Sequence, residues 1–291
     1  MTALPRRIAR VRPLSPARTA EQFFVSSDAA DFSSAAGRTW TVTESPFPRS
    51  PANASSVHRE GWRPGDRVQQ DSVTFLAPSV PANVLGMAHN TGQPGRDLPP
   101  QAFHKAATSV IRPGDAIELA PGMGRVDPEA ELTVVIGTKA RGLTTANVRD
   151  AVLGFTVGND VTCRDLQEAD QLWISAKSQD TFTPAGPWIV TGLDESGLDE
   201  SGLAIDVVLN GTPLRAASTA DLGWKVDEIM AYLTSFMTLH PGDLVLTGFP
   251  AECAPLSPGD TVVCRVQGVG ELVNPVRTSP WPGPTSSNAA S

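Results

Sequence analysis

The sequence predicts a mainly β chain with some α, an α+β fold, on three observations. Four Pro-Gly-Asp triplets begin at Pro64, Pro113, Pro241 and Pro258, and Pro then Gly at the two central positions favours a type II turn. Runs that alternate or are β-branched follow three of them, at 115–119, 243–247 and 260–266, as strands do. Asn210-Gly211 divides the run 203–215 in the manner of a hairpin turn.

In chain order, strands are expected at 7–12 and 38–43, within a weakly patterned segment. That segment, 1–80, reads as a small N-terminal domain with a linker near Pro78-Ser79-Val80-Pro81. The main domain spans 81–277. Residues 131–137 alternate and read as a strand, and Thr144 or Thr145 can cap a short helix through Val152. The apolar strand 152–158 ends near Asp160, and the chain then turns helical. Val226, Ile229, Met230, Leu233 and Met237 form one apolar stripe along a helix over 225–238, which faces the core. Residues 278–291 have the Pro/Ser/Gly character of a disordered tail.

The 291 residues carry 23 basic and 31 acidic side chains, a formal charge of -8. That balance argues against nucleic acid as a partner, because phosphate binding needs a basic surface. Cys163, Cys253 and Cys264 lack metal or disulfide spacing. Arg6, Arg7, Arg10 and Arg12 are not followed by a signal-length apolar run, and no stretch approaches a membrane span. The expectation is a soluble, cytoplasmic protein with no membrane partner.

Chemistry is concentrated in two stretches. Glu129, Glu131 and Thr133 share one face if the strand keeps its period of two. Like carboxylates that close need a proton, a cation or open water between them. Asp160, from another strand end, completes a divalent site, and carboxylates without His or Cys favour Mg²⁺, Mn²⁺ or Ca²⁺. Taken alone, such a pair of glutamates also reads as a solvated strand end. Arg164 and Gln167 lie three apart on a helical turn, a fork suited to a carboxylate, although Arg164 could equally pair with Asp165 or Glu168. Lys177 follows an apolar approach and could act as a base or as a cation beside an enolate, or stay solvated. Of four scattered histidines, His89 and His104 fall near these segments. No nucleophile elbow, phosphate loop or dinucleotide fingerprint occurs.

Together these segments resemble the fumarylacetoacetate hydrolase superfamily, from about Asn83 to Val276. The marks are Phe103-His104-Lys105, 129–137, 158–167, Ala176-Lys177-Ser178, Asp180-Thr181-Phe182, Gly186-Pro187-Trp188, Ser218-Thr219-Ala220-Asp221 and Thr247-Gly248-Phe249-Pro250. The resemblance implies a mixed β-sandwich roll, a homodimer, and Mg²⁺ or Mn²⁺ on Glu129, Glu131 and Asp160. It implies a small oxo-acid substrate surrounded by Arg164, Gln167, Lys105 and Thr219, with Lys177 catalytic. The implied activity is metal-dependent chemistry on a 2-oxo or 1,3-dioxo carboxylate through a metal-bound enolate, with carbon–carbon bond hydrolysis the family's commonest assignment. Two departures bear on hydrolysis. The lid dyad of His and Glu found in family hydrolases has Pro94 at its histidine position, so that His89 or His104 would have to replace it. Phe249 stands where relatives carry a hydroxyl. Decarboxylation, tautomerisation or hydration on the same site is the alternative, and a non-catalytic metabolite-binding homologue is the alternative of another class.

Overall fold

The four Pro-Gly-Asp triplets turn as their sequence requires. Gly65, Gly114, Gly242 and Gly259 all have positive φ, between 83° and 99°, and the Asp N–H of each triplet donates to the carbonyl three residues back. Strands begin one or two residues after that Asp, at Arg67–Gln69, Ile117–Leu119, Leu244–Leu246 and Thr261–Val266. The computed structural model describes residues 6–15, 21–27, 39–47, 62–92, 97–193, 199–214, 216–251 and 253–282.

Two sheets make the body of the chain. The larger runs Arg67–Gln69, Thr39–Thr43, Phe23–Ser27, Arg6–Pro13, Thr183–Thr191, Val152–Asn159, Ala130–Ile136, Leu244–Leu246, Val84–Ala88, Gln101–Lys105. The smaller runs Thr212–Pro213, Ala204–Leu209, Thr261–Val266, Gly270–Thr278, Ile117–Leu119. Leu132, Val134 and Ile136 belong to a core shared with Ile205, Val207, Val262 and Leu272 of the smaller sheet. Val135 belongs instead to a second cluster with Val84, Leu244 and Leu246. The strand Ala130–Ile136 is therefore buried on both faces, and its odd residues, Glu131 and Thr133 among them, point away from the main core.

The N-terminal strands continue the larger sheet, because Arg6–Ile8 pair with Ile189–Thr191. The segment around Pro78–Pro81 is pinned to a turn. Ser79 Oγ donates to Gly242 O at 2.6 Å, and buried Asp243 accepts the N–H groups of Ala82 and Asn83. The helix expected at 225–238 spans Val226–Phe236 and buries Val226, Ile229, Met230 and Leu233 as its stripe requires. The helix expected from Thr144 is a correction. Asn147 Oδ1 accepts Thr144 N–H to close a turn, and only a 3₁₀ helix, Val148–Ala151, fits before the strand that starts at Val152. Asn210 and Gly211 have φ of 51° and 80°, the paired positive values of a type I′ hairpin turn. The last strand ends at Thr278, and 283–291 of the expected tail lie outside the described residues.

Candidate active site

Strand pairing brings the three acids together. Glu131 pairs with Gly158 and Ala130 with Asn159, so the end of one strand carries Glu131 and the end of its neighbour leads into Asp160. Two bonds fix Glu129 just outside the ladder: its N–H donates to Asn159 Oδ1 at 2.9 Å, and its carbonyl accepts Asp160 N–H at 2.9 Å. One carboxylate oxygen from each of Glu129, Glu131 and Asp160 lies within 4.8 Å of the other two. Glu131 and Asp160 are buried and Glu129 nearly so.

Three cations, Arg164, Lys177 and Lys105, bond to this cluster. Arg164, first residue of the helix Arg164–Ala169, donates through Nη2 to Glu129 at 2.7 Å, through Nη1 to Gln167 at 3.0 Å and through Nε to Asp127 at 2.9 Å. Asp127 also takes Arg125 Nε at 2.8 Å. Lys177 Nζ donates to Glu129 at 2.9 Å and to Asp160, while Lys105 Nζ holds the other Asp160 oxygen at 2.5 Å. Glu131 receives the N–H of Gly248 at 2.6 Å. Gly248 can present that amide because its φ is 113°, and a side chain there would meet Asn90 O at 2.9 Å.

The charges sort the acids. Burial would raise the Glu129 carboxyl, but Lys177 and Arg164 outweigh it and hold the group well below the usual range. Burial, with Asp160 and Glu129 as like neighbours, pushes Glu131 well above it. Burial lowers Lys105. For Lys177, burial is outweighed by Asp160 and Glu129, so it is raised. An oxygen-only donor set with a buried carboxyl short of positive charge is what a hard divalent cation would complete, and the three residues fit such an ion.

A cavity of about 340 Å³ opens over the cluster, and Arg164, Gln167 and Lys177 line it with the three acids. His89 lines it too, exposed at left-handed φ of 55°, with its ring 5.0 Å from Trp173. The sequence reading missed three residues. Asn90 is buried and accepts Trp224 N–H at 2.6 Å while donating to Thr247 O at 2.6 Å, which clamps the His89 segment over the acids. Asp127 fixes Arg164, and Trp173 walls the cavity. An Asp two positions before Glu129 was a signal that could have been followed, whereas nothing local marks Trp173.

Three expected substrate or catalytic residues do not line this cavity. Lys105 is fully buried behind Asp160 and also reaches Val161 O at 3.3 Å, so its ammonium is held by protein groups rather than offered to a substrate. His104 is exposed outside the cavity, because alternation along Gln101–Lys105 buries Phe103 and Lys105 and turns His104 out. Thr219 lines a separate cavity with Leu132, on the strand face opposite Glu131, and its hydroxyl accepts Leu203 N–H at 2.8 Å. Pro94 lies outside the described residues. Among the described residues no helix is long and apolar enough to cross a membrane.

Residues 79–277 match the family described as fumarylacetoacetate hydrolase, C-terminal. The mitochondrial oxaloacetate tautomerase of Rattus norvegicus is 34% identical over 224 residues, covering 72% of this chain and 71% of the relative. The crystal structure of 5-carboxymethyl-2-hydroxymuconate delta-isomerase from Mycobacterium smegmatis superposes with a TM-score of 0.77 at 31% identity, over 94% of this chain and all of that one. The structure of maleylpyruvate hydrolase from Sphingobium sp. SYK-6 in complex with manganese(II) ion and pyruvate has a TM-score of 0.65 at 27% identity, over 74% of this chain and 78% of that one.

Proposed function

The chain belongs to the fumarylacetoacetate hydrolase family, and from that premise we propose that it is a divalent-cation-dependent enzyme that enolises 2-oxo carboxylates. The observation that carries this reading is the set of three carboxylate oxygens within 4.8 Å of one another, faced by Arg164 and Lys177 across one cavity. Glu129, Glu131 and Asp160 would hold Mg²⁺ or Mn²⁺, which supplies Lewis acidity toward an oxo oxygen that gains negative charge.

The chain's own groups do the rest. Arg164, oriented by Asp127, Glu129 and Gln167, lines the cavity, and the N–H groups it keeps beyond those bonds suit the substrate carboxylate. Lys177, an ammonium fixed between two carboxylates, supplies positive charge where the enolate oxygen develops. His89 is the one imidazole lining the cavity among the described residues, and in this reading it carries the proton removed from the carbon next to the oxo group. A homodimer and a cytoplasmic location are part of the same reading, taken from the family and the composition.

Proton NMR of a 2-oxo acid in heavy water tests the proposal. Deuterium should enter at C3 only with enzyme and Mg²⁺ or Mn²⁺, and chelation should stop it. Full exchange by cation-free protein would overturn the reading. Carbon–carbon hydrolysis is the second reading, favoured by His89 as an exposed lining residue that could activate water. Appearance of two acids from a 2,4-dioxo acid would establish it, and exchange without cleavage would leave tautomerisation or isomerisation.

A further inference from the structure

The cavity has two chemically unlike parts. Its ionic floor is the cluster described above. Its wall is Met87, Phe103, Trp173 and Phe249, of which Met87, Phe103 and Phe249 are buried. Phe103 and Trp173 pack with ring centroids 5.7 Å apart at 60°. The backbone makes room for this arrangement at Gly86, where a Cβ would fall 2.2 Å from Phe103 Cζ.

One cation reaches this wall from the floor, Lys177 Nζ at 4.6 Å from the Phe103 ring centroid. Among the described lining residues the permanent cations are Arg164, which the proposed function gives to the first carboxylate, and Lys177, which is held by Glu129 and Asp160. Apart from His89, the remaining titratable side chain of the lining is exposed Glu168, an anion. A second carboxylate on the substrate would therefore lose water against an apolar wall and meet a like charge. An alkyl or aryl end would gain from the same burial.

We infer that the substrate of this site is a 2-oxo monocarboxylate whose far end is uncharged and apolar, an alkyl or aryl tail lying on Met87, Phe103, Trp173 and Phe249. This rests on the proposed function for the floor and adds the chemistry of the other end. It sets the chain apart from relatives named for oxaloacetate and maleylpyruvate, both of which carry a second carboxylate.

Isothermal titration of the full chain loaded with Mn²⁺ tests the inference by binding. The probes are pyruvate, 2-oxobutanoate, 2-oxohexanoate and phenylpyruvate, set against oxaloacetate and 2-oxoglutarate. Affinity should rise about fourfold per added methylene until the wall is covered, and phenylpyruvate should bind on the order of 100-fold more tightly than pyruvate. The dicarboxylates should bind no more tightly than pyruvate. Phe249→Thr should cut the phenylpyruvate-to-pyruvate ratio on the order of 10-fold, and the unsubstituted chain gives the series whether or not that variant folds. A flat series, or a dicarboxylate that binds more tightly than the monocarboxylate of its length, overturns the inference and leaves the proposed function standing. Failure of the proposed function has a different signature: no 2-oxo acid of either kind binds, and both readings fall.

Discussion

Replacing Glu131 by Gln separates the role of its charge from the role of its shape. The amide is isosteric and can still accept Gly248 N–H, a bond of 2.6 Å in the native chain. What disappears is one of three carboxylates whose oxygens lie within 4.8 Å of one another. At that separation two unit charges repel by about 3.5 kcal/mol for an effective dielectric near 20, an upper bound here because Lys177 offsets part of it. The cation-free variant should therefore melt at the native temperature or above it. With Mn²⁺ the order reverses. A cation at 100 times its dissociation constant adds about 2.7 kcal/mol to the protein that binds it. At the low end of about 2–4 °C per kcal/mol for large domains, that is a rise of about 5 °C. Scanning fluorimetry with chelator, Mg²⁺ or Mn²⁺ reads both effects, with the rise expected in the native chain and lost in Glu131→Gln. An undiminished rise in the variant, or none in the native chain, would refute the assignment of these acids to a cation.

Asp127→Asn weakens the hold on Arg164 Nε without touching the cavity, so KM for a 2-oxo acid should rise about 10-fold while kcat changes less than about threefold. Steady-state kinetics decides it, and equal losses in both constants would contradict a purely orienting role. Lys105→Met leaves Asp160 buried with one cation instead of two, and urea unfolding should show a loss of about 3 kcal/mol, the low end for breaking a buried pair. His89→Ala should slow C3 exchange by about 100-fold as a lost proton carrier does, while His104→Ala stays within about twofold because its side chain is outside the cavity. Reversal of that order would return His104 to the site.

The elements that were legible in the sequence are those whose causes are local. Pro-Gly-Asp turns are set by φ at two adjacent residues, and the stripe from Val226 to Met237 by helical period, so both could be read without knowing their neighbours. The face shared by Glu129, Glu131 and Thr133 was legible for the same reason. Lys105, His104 and Thr219 were not, since each depends on which side of an element packs inward. One step along the strand separates Lys105 from His104, and one step along Ala130–Ile136 separates the Glu131 cavity from the Leu132 cavity that contains Thr219. Family marks give adjacency in sequence, and only packing decides which of the adjacent side chains meets the substrate. Arg164 and Lys177 line the cavity with the three acids, and helical spacing and an apolar approach are local signals that pointed to them.

Charge balance connects the floor of the cavity to the substrate proposed for it. Asp127, Glu129, Glu131 and Asp160 are matched in number by Lys105, Arg125, Arg164 and Lys177. Adding a divalent cation leaves two positive charges unmatched, so the floor is balanced by two negative charges on the ligand atoms that reach the cation. A 2-oxo monocarboxylate has one negative charge as the ketone and two once it is enolised. The floor is thus complementary to the state after proton removal rather than to the substrate that enters, which is the condition for lowering a barrier instead of merely binding. A second carboxylate does not supply that extra charge at the floor. At the far end of the ligand it lies away from the floor cations and leaves the enolate of a dicarboxylate with a third charge beside Glu168. The apolar wall and the charge count of the floor therefore select the same substrate from opposite ends of the cavity.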